Sequence, residues 1–314
     1  VHLFEDAGLR YLEEIAHKPS ADTVAMHIDQ LMPFIGSLSL GAIHDGTLRG
    51  FIQHEKDRGL APKSINNALT VVAAVLNKAA RVWRDDQHRP WLRQAPPRLS
   101  RLPTKGRQKV AYPLSWTAQE ALFNKLHDDL RAAALFSVNT GCREQEVCQL
   151  QWAWEIPYPT LNASVFVLPE TVTKNGEQRV VILNSVAAAV VEVQRGRHKT
   201  HVFAYKGRPF RKLHTSAWKR AWEAAGLPLT ANVLKGVHNL RHTFAHRLRA
   251  SGVPPETRKV LLGHANGDIT THYSAATFRE LLEASQKATV RSDSTPILSI
   301  VGKVSEQEKR VSSH

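Results

Sequence analysis

Four short segments of the 314-residue chain carry side chains that could handle a phosphate. In Thr140-Gly-Cys-Arg-Glu-Gln-Glu146, a helix-ending glycine is followed closely by Arg143, with Glu146 three residues further on. An arginine placed there sits near a helix N-terminus, where backbone N–H groups already favour an anion. Alone, the two residues also describe an ordinary i,i+3 ion pair. Thr173-Lys174-Asn175-Gly176 sets a lysine just before a turn dipeptide. Its ammonium could reach into a bound backbone, and its pKa falls readily when it is desolvated among cations; singly, it is a surface lysine. In His238-Asn-Leu-Arg241 the imidazole and guanidinium are three apart and share one helix face, so both could touch one phosphate. His242 and His246 continue a four-residue histidine spacing, but the zinc-protease pattern needs a glutamate beside the first histidine and this segment has none. In Leu261-Leu-Gly-His264 the glycine can end a helix and let the histidine project from the turn. Thr271-His272-Tyr273 follows, and its tyrosine alone would be a half-buried aromatic with a satisfied hydroxyl.

These groups converge only if regular elements hold them. The first hundred residues read as helices, with apolar positions at three-to-four spacing in Leu9, Leu12 and Ile15, then in Val24, Ile28, Leu31 and Ile35. Asp45 suits the N-cap of a helix running through Phe51 to Arg58 and stopped by Gly59. Pro62 opens a longer helix carrying Ile65, Leu69, Val72, Val75, Leu76 and Ala79. Residues 84–113 are rich in Arg, Lys, Pro and Gln without sustained periodicity, the mark of a basic linker. Thr117-Ala-Gln-Glu120 gives a capping-box signal for the next helix, and Asp128–Thr140 continues helically until Gly141. Val165–Leu168 and Val180–Leu183 are β-rich runs flanking Lys174-Asn-Gly-Glu177, where Asn-Gly is a hairpin-turn dipeptide. From Asn184 the pattern is helical again, punctuated by Gly226, Gly252 and Gly263. The tail from Thr289 is polar apart from Pro296–Val301, which suits a short strand. The fold class expected is mainly α with a small antiparallel β-sheet, arranged as a helical domain over 1–85, a basic linker over 86–111, a mixed α/β domain over 112–288 and a tail over 289–314.

Charge narrows the partner. The chain holds 42 Lys and Arg against 28 Asp and Glu, which points to a polyanion. Residues 1–100 are nearly balanced, with 12 basic and 11 acidic side chains, so almost all the excess lies further along, where the four segments also lie. Cys142 and Cys148 suit neither a disulfide framework nor a zinc quartet and read as buried thiols. No run approaches the roughly 18–20 apolar residues of a membrane-spanning helix, and the start shows no signal-peptide pattern. A soluble, intracellular protein is expected.

Taken in order, Arg143, Lys174, His238 with Arg241, His264 and Tyr273 resemble the signature of the tyrosine recombinases, the phage integrase family, over about residues 112–285. Among that family the local contexts look most like bacterial prophage or genomic-island integrases, enzymes of mobile genetic elements. The resemblance implies a site-specific DNA recombinase with an N-terminal core-binding domain and a C-terminal catalytic domain. It implies cleavage and rejoining of double-stranded DNA through a 3′-phosphotyrosine on Tyr273, without metal, cofactor or ATP. Arg143 and Arg241 would clamp the phosphate, since arginine presents a fixed fork of donors. His238 and His264 would hydrogen-bond it, with His238 the better placed to take the phenol proton. Lys174 would protonate the departing 5′-oxygen, and Glu146 would hold the site in shape. Lys105, Arg107 and Lys109 of the linker would bind DNA. The partners implied are paired recombination sites bound by a homotetramer, with accessory DNA-bending or directionality factors, in a cytoplasmic, nucleoid-associated setting. The helical segment with Phe278, Leu281, Leu282 and Ala284 resembles a recombinase helix that packs on a neighbouring subunit. Three alternatives stand beside this reading: a type IB-like topoisomerase, a catalytically idle DNA-binding module, and a zinc enzyme built on His238, His242 and His246.

Overall fold

A computed structural model of the chain describes residues 1–104, 109–263 and 277–291. The chain divides into two compact units, Val1–Gln108 and Lys109–His314.

The first unit is built on four helices, α1 (Phe4–Ile15), α2 (Ala21–Ile35), α3 (Arg49–Asp57) and α4 (Pro62–Arg81). Pro62 opens α4 where a missing N–H removes no helical bond. Ile65, Leu69, Val72, Val75, Leu76 and Ala79 are all buried, and each full-sized aliphatic contributes about 1.5–3 kcal/mol by leaving water. In α1 the inward face is Phe4, Ala7 and Ile15, whereas Leu9 points outward at 58% exposure, so its place in the apolar spacing was coincidental. Asp45 does not cap α3. That helix begins after Leu48, and the Asp45 carboxylate instead accepts the backbone N–H of Ser100 at 2.9 Å. The Pro-rich stretch expected to be linker is ordered against this unit as far as Leu102. Leu92 and Leu99 are buried in its core with Trp91 and Leu102 packed on it, and the Asn66 amide pairs with both backbone groups of Leu102 at 2.9 Å. A linker pattern reports missing periodicity, and an extended segment that packs through a few widely spaced apolar residues has none either.

The second unit opens with α5 (Trp116–Phe123), α6 (Asp128–Thr140) and α7 (Glu144–Cys148). The N-cap of α5 is Ser115, whose hydroxyl accepts from Ala118 N–H, so the cap lies two residues before Thr117. A three-stranded antiparallel sheet follows in the order β1 (Glu155–Tyr158), β2 (Ala163–Leu168), β3 (Arg179–Ile182). The strand β1 was not foreseen; it is only four residues long and mostly exposed. The β2–β3 connection is also longer than an Asn-Gly turn would make it. Pairing ends at Leu168 opposite Arg179, and a 3₁₀ turn over Glu170–Val172 lies in the intervening loop. Next come α8 (Ser185–Gln194), a two-stranded ribbon of β4 (Ala204–Tyr205) and β5 (Arg208–Pro209), α9 (Ser216–Ala224), α10 (His238–Ala250), α11 (Pro255–Leu262) and α12 (Phe278–Gln286). The main core lies between α5, α6, α8, α9 and the sheet, and Cys142 and Cys148 are buried free thiols within it. A smaller core joins α10, α11 and α12 to Ile182 of β3. In this single chain the apolar face of α12 packs on its own unit through Leu281 and Ala284. No described helix is long and apolar enough to cross a membrane.

Candidate active site

The site forms where α6 ends. Gly141 takes the left-handed conformation (φ 65°) that stops α6, and its carbonyl accepts the Arg241 Nη1–H at 2.7 Å. Two residues on, Arg143 is extended and serves as the N-cap of the short α7. Glu146, one turn into α7, folds back on it: Oε2 accepts the Arg143 backbone N–H at 2.7 Å and Oε1 accepts its Nη1–H at 2.8 Å. The helix start that the sequence offers to an external anion is thus already occupied by an internal one. A second arginine, Arg179 at the head of β3, forms an ion pair with Glu146 Oε2 and donates to Leu261 O at 3.0 Å and Thr140 O at 3.4 Å. Arg143 Nη2 reaches Gly263 O at 3.5 Å. Gly263 is itself left-handed (φ 59°) and closes α11.

Electrostatics match this geometry. Burial opposes the charge on Glu146, yet Arg179, then the Arg143 backbone and guanidinium, outweigh it and hold the carboxyl below its ordinary value. Arg241, 5% exposed, is pulled down to about 10 by burial and by the charges of Arg179 and Arg143. Its Nη2 is buried and donates to no acceptor among the described residues. An unmade bond on a buried charged donor is costly. His238 opens α10, and burial, then the neighbouring His242, Arg241, Arg143 and Lys174, push its imidazole pKa below the ordinary value. The cluster therefore contains three guanidiniums, one carboxylate and a histidine whose protonation is disfavoured.

Of the residues expected from sequence, Arg143, Glu146, His238 and Arg241 come together here. Lys174 stands exposed on the β2–β3 connection and acts on His238 through its charge. Lys109 is exposed and makes none of these contacts. His264, Tyr273, Lys105 and Arg107 lie outside the described residues. His238 and His242 pack edge to face at 4.8 Å. Among the described residues no group of three or more His, Cys, Asp and Glu could hold a metal ion, so the zinc alternative finds no ligand set there. Sequence reasoning passed over two residues. Arg179 was hidden before a β-run, although period two would have put it on the inward face with Val181 while Val180 points out. Glu144 also escaped notice: its Oε1 accepts both Leu213 N–H and His214 N–H at 2.6 Å, tying the segment that carries Arg211 and Lys212 to α7.

The chain is similar to proteins of one known family. A sequence model described as "Phage integrase family" matches residues 117–280, just over half of the chain. The integrase of Salmonella phage P22 is 24% identical over 312 residues, spanning 86% of this chain and 76% of that protein. The tyrosine recombinase XerC of Rhizobium meliloti is 26% identical over 255 residues, 79% of this chain and 77% of that one. Among solved structures, a lambda integrase dimer bound to a COC′ core site superposes with a TM-score of 0.64 at 15% identity, covering 94% of this chain and 98% of that one. A lambda integrase tetramer bound to a Holliday junction gives 0.64 at 14% identity, over 86% and 79% of the two chains.

Proposed function

Because the chain belongs to the phage integrase family of tyrosine-type site-specific DNA recombinases, we propose that it cuts and rejoins duplex DNA through a covalent 3′-phosphotyrosyl intermediate on Tyr273. The observation that carries this reading is the buried, unpartnered Nη2 of Arg241 in a cluster where three guanidiniums face one carboxylate. A phosphodiester oxygen would satisfy that donor and take up the surplus charge. Preorganised donors of this kind are often worth ~3–4 kcal/mol each in the transition state.

In the proposed step the Tyr273 oxygen attacks phosphorus and the P–O5′ bond breaks. Arg143 and Arg241 hold the non-bridging oxygens. His238, whose protonation its surroundings disfavour, accepts the phenol proton, while Lys174 protonates O5′ as it departs. His264 adds a further hydrogen bond to the phosphate. The phosphotyrosine keeps the bond energy, so a 5′-hydroxyl of the partner strand can reverse the reaction without ATP, and no metal enters the scheme. Residues 1–85 act as a core-type DNA-binding domain, 86–111 as a connecting segment whose Lys105, Arg107 and Lys109 contact DNA, 112–288 as the catalytic domain and 289–314 as its tail. Exchange takes place in a homotetramer on paired sites, assisted by accessory DNA-bending factors, on nucleoid DNA in the cytoplasm.

The test is covalent trapping on a nicked duplex carrying the repeats that flank the gene. Wild-type protein is expected to give a denaturant-resistant protein–DNA adduct, and Tyr273→Phe to bind the same DNA with none. An adduct with the Phe variant would assign the attack to another residue. DNA binding without an adduct from wild type would leave an idle binding module.

A further inference from the structure

We propose that Arg179 is a positioning residue for DNA cleavage, one that keeps Glu146 from neutralising Arg143 and anchors the end of α11; this rests on the reading of the site given above. Arg179 is 5% exposed and Glu146 1% exposed. A buried ion pair is weak grounds for stability, because desolvation offsets the attraction and apolar replacements of similar volume often do as well. Arg179 is not fully satisfied either, since its buried Nε has no partner among the described residues. What its placement does accomplish is a division of the carboxylate. Glu146 Oε1 serves the Arg143 guanidinium, while Oε2 is shared between the Arg143 backbone and Arg179. Were Arg179 absent, the one anion would face Arg143 alone and offset the charge meant for the phosphate. With it, Arg143, Arg179 and Arg241 against Glu146 leave two net positive charges. A phosphodiester brings one negative charge, which grows toward two as a phenolate adds to phosphorus.

The second contribution is mechanical. The other Arg179 nitrogen, Nη2, holds the Leu261 carbonyl on the last turn of α11, while Arg143 reaches the Gly263 carbonyl just beyond. A Cβ on Gly263 would collide with the Arg179 Cδ and Nε, so glycine there leaves room for the arginine as well as closing the helix. The next residue in the chain is His264. One side chain thereby braces, from β3, both the N-cap arginine of α7 and the helix that leads to the second histidine.

The test measures site-DNA affinity and, at saturating DNA, the single-turnover rate of adduct formation. Arg179→Met is expected to bind DNA within about threefold of wild type yet cleave ~10²-fold more slowly, as befits a loss felt in the transition state. Arg179→Lys should recover only part of the rate, because one ammonium lacks the fork that spans Glu146 and Leu261. Arg179→Met combined with Glu146→Gln should cleave at least about tenfold faster than Arg179→Met alone, since the uncompensated carboxylate is gone. A merely structural arginine would lower melting temperature and folded yield but leave the rate per folded molecule unchanged. That result, or failure of Glu146→Gln to rescue, overturns the proposal. If Arg179→Met does not fold, the double variant and Arg179→Lys decide by the same comparison with wild type. Absence of any adduct from wild-type protein would instead remove the tyrosine-cleavage reading, and this proposal with it.

Discussion

At the scale of single residues, the proposed cleavage depends on which proton moves where, and Lys174 is the group whose proposed part is separable by chemistry. It stands exposed on a long loop and shares the electrostatic surroundings of His238, so it could hold a phosphate or donate a proton to O5′. A general acid matters in proportion to how poor the leaving group is. Lys174→Ala should therefore cleave an ordinary site ~10²–10⁴-fold more slowly, and regain most of that loss on DNA whose 5′-bridging oxygen is sulfur, because a thiolate departs unprotonated. Arg143→Ala should gain no such rescue, since in the proposed step its charge acts on the non-bridging oxygens. Single-turnover rates on the two substrates check this, and equal rescue of both variants, or of neither, reduces Lys174 to a phosphate contact. Residue identity was legible in the sequence where a residue acts through its own type and near spacing, as with His238 and Arg241 on one helical face. It was not legible for Arg179, which becomes meaningful only beside Glu146, 33 positions away.

At the scale of elements, the turn between α6 and α7 is where backbone geometry and site geometry coincide. Gly141 is left-handed, its carbonyl holds Arg241, and a Cβ there would meet Phe244 Cδ1 at 2.6 Å and Leu262 Cδ2 at 3.0 Å. A left-handed non-glycine residue costs roughly 1–2 kcal/mol, and overpacking adds about 1–3 kcal/mol. Gly226, after α9, is equally left-handed (φ 66°) but has nothing within 4 Å of the added carbon. Gly141→Ala should thus lower unfolding free energy by about 2–5 kcal/mol and Gly226→Ala by only about 1–2 kcal/mol, as read from denaturant midpoints. Only Gly141→Ala should also depress cleavage per folded molecule. Equal destabilisation would mean that α10 and α11 give way around the new methyl. The stop at Gly141 could be read from sequence because a left-handed cap is a local requirement. The β2–β3 connection could not, because loop length follows from which strand residues pair, here Leu168 with Arg179, and pairing is a tertiary choice.

At the scale of the whole molecule, the second unit gathers His201, His214, His238, His242 and His246, and burial is the first cause that depresses the pKa of each below the ordinary 6.5. Below that value the unfolded chain binds protons that the folded chain refuses, so stability must fall as pH falls. A thermal unfolding series from about pH 7.5 down to about pH 5.5 should show a steadily decreasing Tm, in a window that lies above the titration of ordinary carboxylates. His246, whose Nε2 is buried without a partner, is the residue to probe: His246→Gln should flatten the slope. A Tm that holds constant or rises on acidification would mean that these imidazoles gain partners for their protonated form.

From residue order alone came the helical stops at Gly59, Gly141 and Gly263, most of the buried face of α4, the surplus of positive charge and the order of the proposed phosphate-handling residues. Each of these follows from residue type and from spacing within a few turns of backbone, where helix geometry alone says which side chains are neighbours. The tertiary structure decided the rest. It turned Glu146 inward between two arginines, brought Arg179 to the Leu261 carbonyl 82 positions further along, laid the segment through Leu102 on the first core, and seated α12 on its own unit. Each of those depends on burial. A charged side chain can leave water only where a partner from a distant element arrives with it, and an apolar face stays exposed or not according to what the rest of the chain packs against it.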